Sequence, residues 1–248
     1  IGVRLVGSEM CIRDSHEIFF NKKIKNFVFS LYSFFAISMI INMFITGGRA
    51  GQVAFFAMLV ILIIQILDKQ RIKSLITISI VIPGIFFVAY QTSNLFQQRV
   101  DSAYNQTITY HPESLNSIGY RITFAINSWE VIKENPIIGI GTGDFPIEYK
   151  KINEINKTEV PNTKNPHNMY ILIGMELGII GLISMLSIFY YQIKLSFNSS
   201  NRFIRDVGTT LPFLFLVIMW SDSYLLGHFT TLVFVFFSSF LYKDFEKY

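Results

Sequence analysis

Residues 165–193 read NPHNMYILIGMELGIIGLISMLSIFYYQI, a polar turn around Pro166 followed by an apolar run whose one charged residue is Glu176. A bilayer core takes roughly 20 apolar residues to cross, with about 17–25 tolerated, so Met169–Ile193 predicts a transmembrane helix. Reading outward gives five more runs, near Phe27–Ile45, Val53–Leu67, Ile72–Tyr90, Val207–Trp220 and Phe229–Tyr242. Six spans define an all-α integral membrane protein, a polytopic helical bundle. Composition agrees: 51% of the 248 residues are hydrophobic, 25 are phenylalanine, and 15% are charged, well below the usual quarter. An ordinary soluble domain is excluded. The net charge of +4 does not point to nucleic acid, because the basic residues sit in short clusters between apolar runs rather than on one face.

Those clusters set an orientation. Lys22, Lys23 and Lys25 precede the first span; Lys69, Arg71 and Lys73 join the second to the third. Lys194, Arg202 and Arg205 join the fourth to the fifth, and Lys243 and Lys247 follow the sixth. Basic residues hold their loops in the cytoplasm. Both ends are therefore expected inside, with Thr46–Gly51, the long segment 91–166 and Ser221–His228 outside. The chain is expected in a bacterial inner membrane with its large loop on the extracytoplasmic side.

Ile1–Ser15, IGVRLVGSEMCIRDS, has no initiator Met, apolar core or signal-peptide layout, and resembles translated sequencing adapter. We set it apart from one membrane domain over 16–248. Cys11, the single cysteine, goes with it, which leaves no disulfide or thiolate metal site. Upstream spans are then expected to be missing, the chain being the C-terminal part of a larger protein.

A connection as long as 91–166 calls for structure or function of its own. Ile118, Ile122, Ala125, Ile126, Trp129 and Ile132 recur at helical spacing, predicting an amphipathic helix over Ser117–Glu134 along the membrane surface, with Trp129 at headgroup depth. Asn135 before Pro136 ends it. The following IIGIGTGDF places Gly139, Gly141 and Gly143 in a tight turn. No βαβ unit supports a dinucleotide loop there, and the glycines serve either turn geometry or close backbone approach to a phosphate.

Three residues carry candidate chemistry. His167 stands just before a span whose N-cap is Asn168; a histidine here can act as a general base or simply anchor the boundary. Arg49 stands between glycines that let a ligand approach, where a snorkelling anchor is the alternative. Arg121 on the loop helix is either a ligand contact or a solvated surface charge. Tyr170, one turn past His167, is placed to orient it. Glu176 inside a span is either a structural partner or a site residue. Asp222 and His228 either line the path of an acceptor or anchor the interface.

TGGRAG (46–51), GYRITFAINSWEVIKENPIIGIGTGDF (119–145) and NPHNMYILIGMELGIIGL (165–182), in this order and topological placement, resemble the O-antigen ligase and O-antigen polymerase family of bacterial membrane glycan enzymes. The resemblance spans most of Phe27–Leu241. It implies a metal-independent, cofactor-free glycosyltransferase of lipopolysaccharide or surface polysaccharide synthesis. The donor would be an undecaprenyl-pyrophosphate-linked glycan and the acceptor lipid A-core or another glycan, with membrane lipids around it. His167 would be the catalytic base or, alternatively, a hydrogen-bonding partner of pyrophosphate, Arg49 and Arg121 would bind pyrophosphate, and Tyr170 and Glu176 would support them. Family members carry about twice as many spans, again implying missing N-terminal helices. A secondary transporter or permease for an anionic solute, with 91–166 as its lid, is the alternative from another class; helices broken near the midplane would favour it.

Overall fold

The computed structural model describes residues 22–45, 48–67, 70–112 and 114–242. The expectations for Ile1–Ser15 with Cys11, for Thr46 and Gly47, and for Lys69, Lys243 and Lys247 fall outside the described residues, as do the side chains of Lys22, Lys23 and Lys25. The chain divides into two units, 1–47 and 48–248. The first contains α1, Lys22–Ile45, the helix that holds the predicted first span.

In the second unit, α2 (Arg49–Ile66) and α3 (Arg71–Thr92) are long and apolar enough to cross a membrane, as is α7 (Met169–Phe197). The other two runs form shorter helices, α8 (Arg202–Ile218) and α9 (His228–Leu241), the latter preceded by a 3-10 turn over Tyr224–Leu226. Their apolar side chains point outward: Ile64, Ile80, Phe87, Ile183 and Phe236 are all exposed. Such an apolar exterior is the inverse of a water-soluble surface and suits lipid contact. Within the unit α3 packs on α2, α2 on α8, and α8 on both α7 and α9. Met169 N–H donates to Met219 O at 2.9 Å, tying the start of α7 to the end of α8.

Segment 91–166 folds into three helices, α4 (Asn94–Ile108), α5 (Ser117–Glu134) and α6 (Phe145–Ile155). The expected loop helix has the expected bounds, because Asn116 caps it by accepting from Gly119 N–H and Asn135 leaves the helical region before Pro136. Its small and polar face, including Thr123, Asn127 and Ser128 together with Phe124, is buried, while Ile126 and Trp129 face outward. An apolar face turned away from the protein suits a helix lying against a bilayer.

The predicted smooth fourth span is broken. Gly178 sits inside α7 at φ 62°, ψ −157°, a conformation open to glycine alone. The segment 136–141 fills the gap with backbone. Ile140 N–H donates to Met175 O at 3.0 Å and Gly141 N–H to Glu176 O at 2.9 Å. In return Ile179 N–H donates to Pro136 O at 2.9 Å and Ile180 N–H to Ile137 O at 3.3 Å. The groups freed by the break are thus paired, as an apolar surround requires. This is the work of the glycine-rich turn: a Cβ on Gly139 would lie 2.4 Å from the Glu176 carbonyl carbon.

Candidate active site

The contact between α7 and α8 brings 165–168 beside 220–223. Asn168, the predicted cap, accepts from Tyr170 N–H at 3.0 Å and Ile171 N–H at 3.1 Å, and its amide donates to Trp220 O at 3.1 Å. Asn165 joins the two segments: its Oδ1 accepts from His167 N–H at 2.9 Å and from the Ser223 hydroxyl at 2.7 Å. His167 is held at φ 53°, a left-handed conformation uncommon outside glycine. That turn aims the imidazole at Asp222, with His167 Nδ1 3.1 Å from Asp222 Oδ1.

With a carboxylate as partner Nδ1 carries the proton, and the Nε2 lone pair is left to accept one. Asp222 is fixed in turn by Ser223 N–H at 2.7 Å and by the Asn165 amide at 3.4 Å. A second constraint acts on the ring face. Phe124 of α5 lies nearly parallel to the imidazole at a centroid separation of 6.2 Å. Phe124 meets Tyr149 edge-on at 5.6 Å, and Tyr149 stacks on Phe145 at 5.6 Å, so the imidazole caps an aromatic column rooted in α6.

The contact expected from Tyr170 to His167 is not made. The Tyr170 hydroxyl proton goes to Leu216 O at 2.6 Å, clamping α7 to α8. Glu176 is also committed elsewhere: its Oε1 accepts from Gly143 N–H at 3.1 Å, just before α6 begins. Asp144 at the N-cap makes no side-chain cap, and the carboxylate from α7 fixes the turn just ahead of it. His228 opens α9 as an exposed residue.

Arg49, expected in a turn, is the first residue of α2. One Nη group donates to the Ser117 hydroxyl at 3.3 Å, while Nε is buried without a hydrogen-bond partner. The charges acting on this guanidinium belong to Arg121 and to Arg99 of α4. Among the described residues no carboxylate forms an ion pair with any of the three. Like charges near one another without a counterion repel, which an anion between them would relieve. Arg121 lies one helical turn before Phe124, so α5 links the arginines to the imidazole. Among the described residues no three His, Cys, Asp or Glu side chains converge as a metal site would require.

The sequence singles out neither Arg99 nor Phe124, and leaves Asp222 either lining the path of an acceptor or anchoring the interface, without its link to His167. The signal for Asp222 was present: it is the one acidic residue between the two apolar runs it joins.

Helices with apolar outer faces, and a histidine–aspartate pair on the short segments beside two of them, define a membrane protein with a polar site at the ends of its helices. The sequence model for O-antigen ligase matches residues 34–186, more than half of the chain, and the chain belongs to that family. No match is found among the curated proteins. Membership makes this a membrane protein of the glycosyltransferase-like kind, engaged in glycan transfer in polysaccharide synthesis between lipid-linked glycan and acceptor substrates.

Proposed function

We propose that the protein transfers a glycan from undecaprenyl pyrophosphate to an acceptor sugar hydroxyl at the outer face of the inner membrane. The chain then crosses the bilayer six times, with 91–166 outside. The observation that carries this reading is the pairing of His167 Nδ1 with Asp222, which leaves Nε2 free in a protein whose α5 also bears Arg121. Nε2 takes the proton of the acceptor hydroxyl as its oxygen attacks the anomeric carbon. The bond from that carbon to the pyrophosphate oxygen breaks, and the electron pair leaves with the phosphate. A single displacement inverts the configuration. Arg49 and Arg121 hold the departing pyrophosphate, each charge-assisted contact contributing about 1.5–3 kcal/mol, with no metal or cofactor taking part.

The test compares lipid-linked glycans and surface polysaccharide in cells expressing wild type, His167→Ala or Arg121→Ala from the natural gene at matched membrane levels. Long polymer accumulating on the lipid carrier identifies a ligase acting on lipid A-core; single accumulating repeat units identify a polymerase. Unchanged glycans in both variants would overturn the assignment.

One observation favours the permease, namely the break in α7 at Gly178. Against it, the gap is filled by the backbone of 136–141, which leaves no carbonyl cage for an ion or solute. Uptake of a labelled anionic solute by proteoliposomes, without glycan transfer, would reverse this preference.

A further inference from the structure

The helices that bear the site at one end form a second feature at the other. Gln65, near the end of α2, donates to Asp206 O at 2.8 Å and to the Thr210 hydroxyl at 2.9 Å, both on α8. Beside this junction opens a crevice of about 960 Å³ between α2, α8 and the end of α7. Its walls are apolar, with Val60, Ile64 and Phe213, and its rim carries Arg202, Arg205 and Asp206. Arg202 Nε lies 3.4 Å and Arg205 Nε 3.7 Å from the Asp206 carboxylate. Two guanidiniums therefore share one carboxylate and meet it through Nε, so among the described lining residues one positive charge and the Nη groups remain for another anion. The N–H groups opening α8 do not supply the charge, since Asn201 caps Phe203 and Ile204.

We propose that this crevice binds the headgroup of an anionic phospholipid of the cytoplasmic leaflet, with an acyl chain lying along Val60, Ile64 and Phe213. A soluble anion gains nothing from apolar walls and a neutral lipid gains nothing from the uncompensated charge. An anionic amphiphile uses both. Phe197 at the end of α7 lines the crevice while His167 stands before its start, so the proposal uses none of the residues of the glycan-transfer reading and shares with it only the membrane orientation.

Native mass spectrometry of the detergent-solubilised protein, titrated with phosphatidylglycerol or phosphatidylcholine, tests it. Wild type is expected to retain one phosphatidylglycerol at roughly tenfold lower lipid concentration than phosphatidylcholine. Arg202→Gln/Arg205→Gln should abolish that preference and leave phosphatidylcholine binding intact. Lys194→Gln, an exposed charge at the same end outside the crevice, should keep it. Equal binding of both lipids by wild type overturns the proposal, as does an equal loss in Lys194→Gln, which would mean diffuse attraction. Displacement of the lipid by millimolar inorganic phosphate would assign the charge to a soluble anion and also overturn it. Should the double variant fail to reach the membrane, Asp206→Asn removes the competing carboxylate and must raise the preference for phosphatidylglycerol; no rise overturns the proposal.

Discussion

Asp222 and His167 stand 55 positions apart in the chain, and their side chains meet at 3.1 Å because the start of α7 is hydrogen-bonded to the end of α8. In the proposed reaction the carboxylate orients the ring so that Nε2 faces the acceptor hydroxyl. Asp222→Asn keeps the shape and an accepting oxygen but loses the charge. We expect kcat to fall about 10²-fold, within the 10²–10⁴ range of general-base catalysis, with donor KM changed less than about twofold. Transfer measured with purified protein checks this. A variant that raises KM and spares kcat would place Asp222 in substrate binding instead.

Phe124 constrains the imidazole by its face, where Asp222 constrains it by its edge. Phe124→Leu keeps an apolar group of similar reach and removes the aromatic surface. The ring of His167 should then turn more freely, and displacements near 1 Å can cost up to about 10²-fold in rate. A kcat lowered about tenfold in Phe124→Leu and restored in Phe124→Tyr, with similar thermal stability, is the expected pattern. Equal activity in both variants would reduce Phe124 to packing.

Arg99 is one exposed charge on a polar helix and nothing in the sequence marks it, yet the fold brings it, with Arg121, near enough for its charge to oppose that of Arg49. If the three guanidiniums share one anion, Arg99→Gln should raise donor KM by about 10–100-fold, the loss of one charge-assisted contact. Arg99→Lys should recover part of that loss, since it keeps the charge without the planar fork. Unchanged donor KM in Arg99→Gln would leave Arg49 and Arg121 as the anion site without it.

What could be read from residues alone followed from how local the signal was. The long apolar runs at α2, α3 and α7 need no partner to be recognised, and α5 carries its own cap and its own stop at Pro136. The helices α4 and α6 are short and polar on average, so neither stands out as a span, and the turn entering α6 is held through Gly143 N–H by Glu176, 33 residues further on. The break at Gly178 was hidden for the same reason. A glycine in an apolar run reads as helix until the backbone that replaces its lost hydrogen bonds is seen.

That backbone makes Gly139 and Gly178 interdependent. A Cβ on Gly178 would lie 2.4 Å from the Ile137 carbonyl, and one on Gly139 2.4 Å from the Glu176 carbonyl carbon. Neither neighbour is a flexible side-chain tip, so neither can yield cheaply. Gly178→Ala also forces alanine into a glycine-only conformation, at a cost of about 1–3 kcal/mol before any clash. Both substitutions should lower the amount of folded protein in membranes and its melting temperature. Gly143→Ala, which has open space around it but a φ of 85°, should cost less. Equal stability of all three variants would show that the loop and the broken helix are not locked together.

Tyr149 gives the loop domain a signature at high pH. Its ring is fully buried between Phe124 and Phe145, and burial pushes its phenol up to about 12 from an ordinary 10.0, against the opposing hydrogen bond from Asn127. Between those values the folded chain binds more protons at this site than the unfolded chain. The contribution is therefore complete below pH 10 and is lost as pH rises toward 12. Melting temperature measured in detergent from pH 8 to 12 should fall across that window. In Tyr149→Phe the decline should be shallower, starting from a lower plateau, because Asn127 loses one acceptor while keeping Asn153 Oδ1 at 3.1 Å. That plateau should drop by about 1 kcal/mol. Parallel declines in the two proteins would mean that other tyrosines carry the effect and that the aromatic column beneath His167 opens without ionising Tyr149.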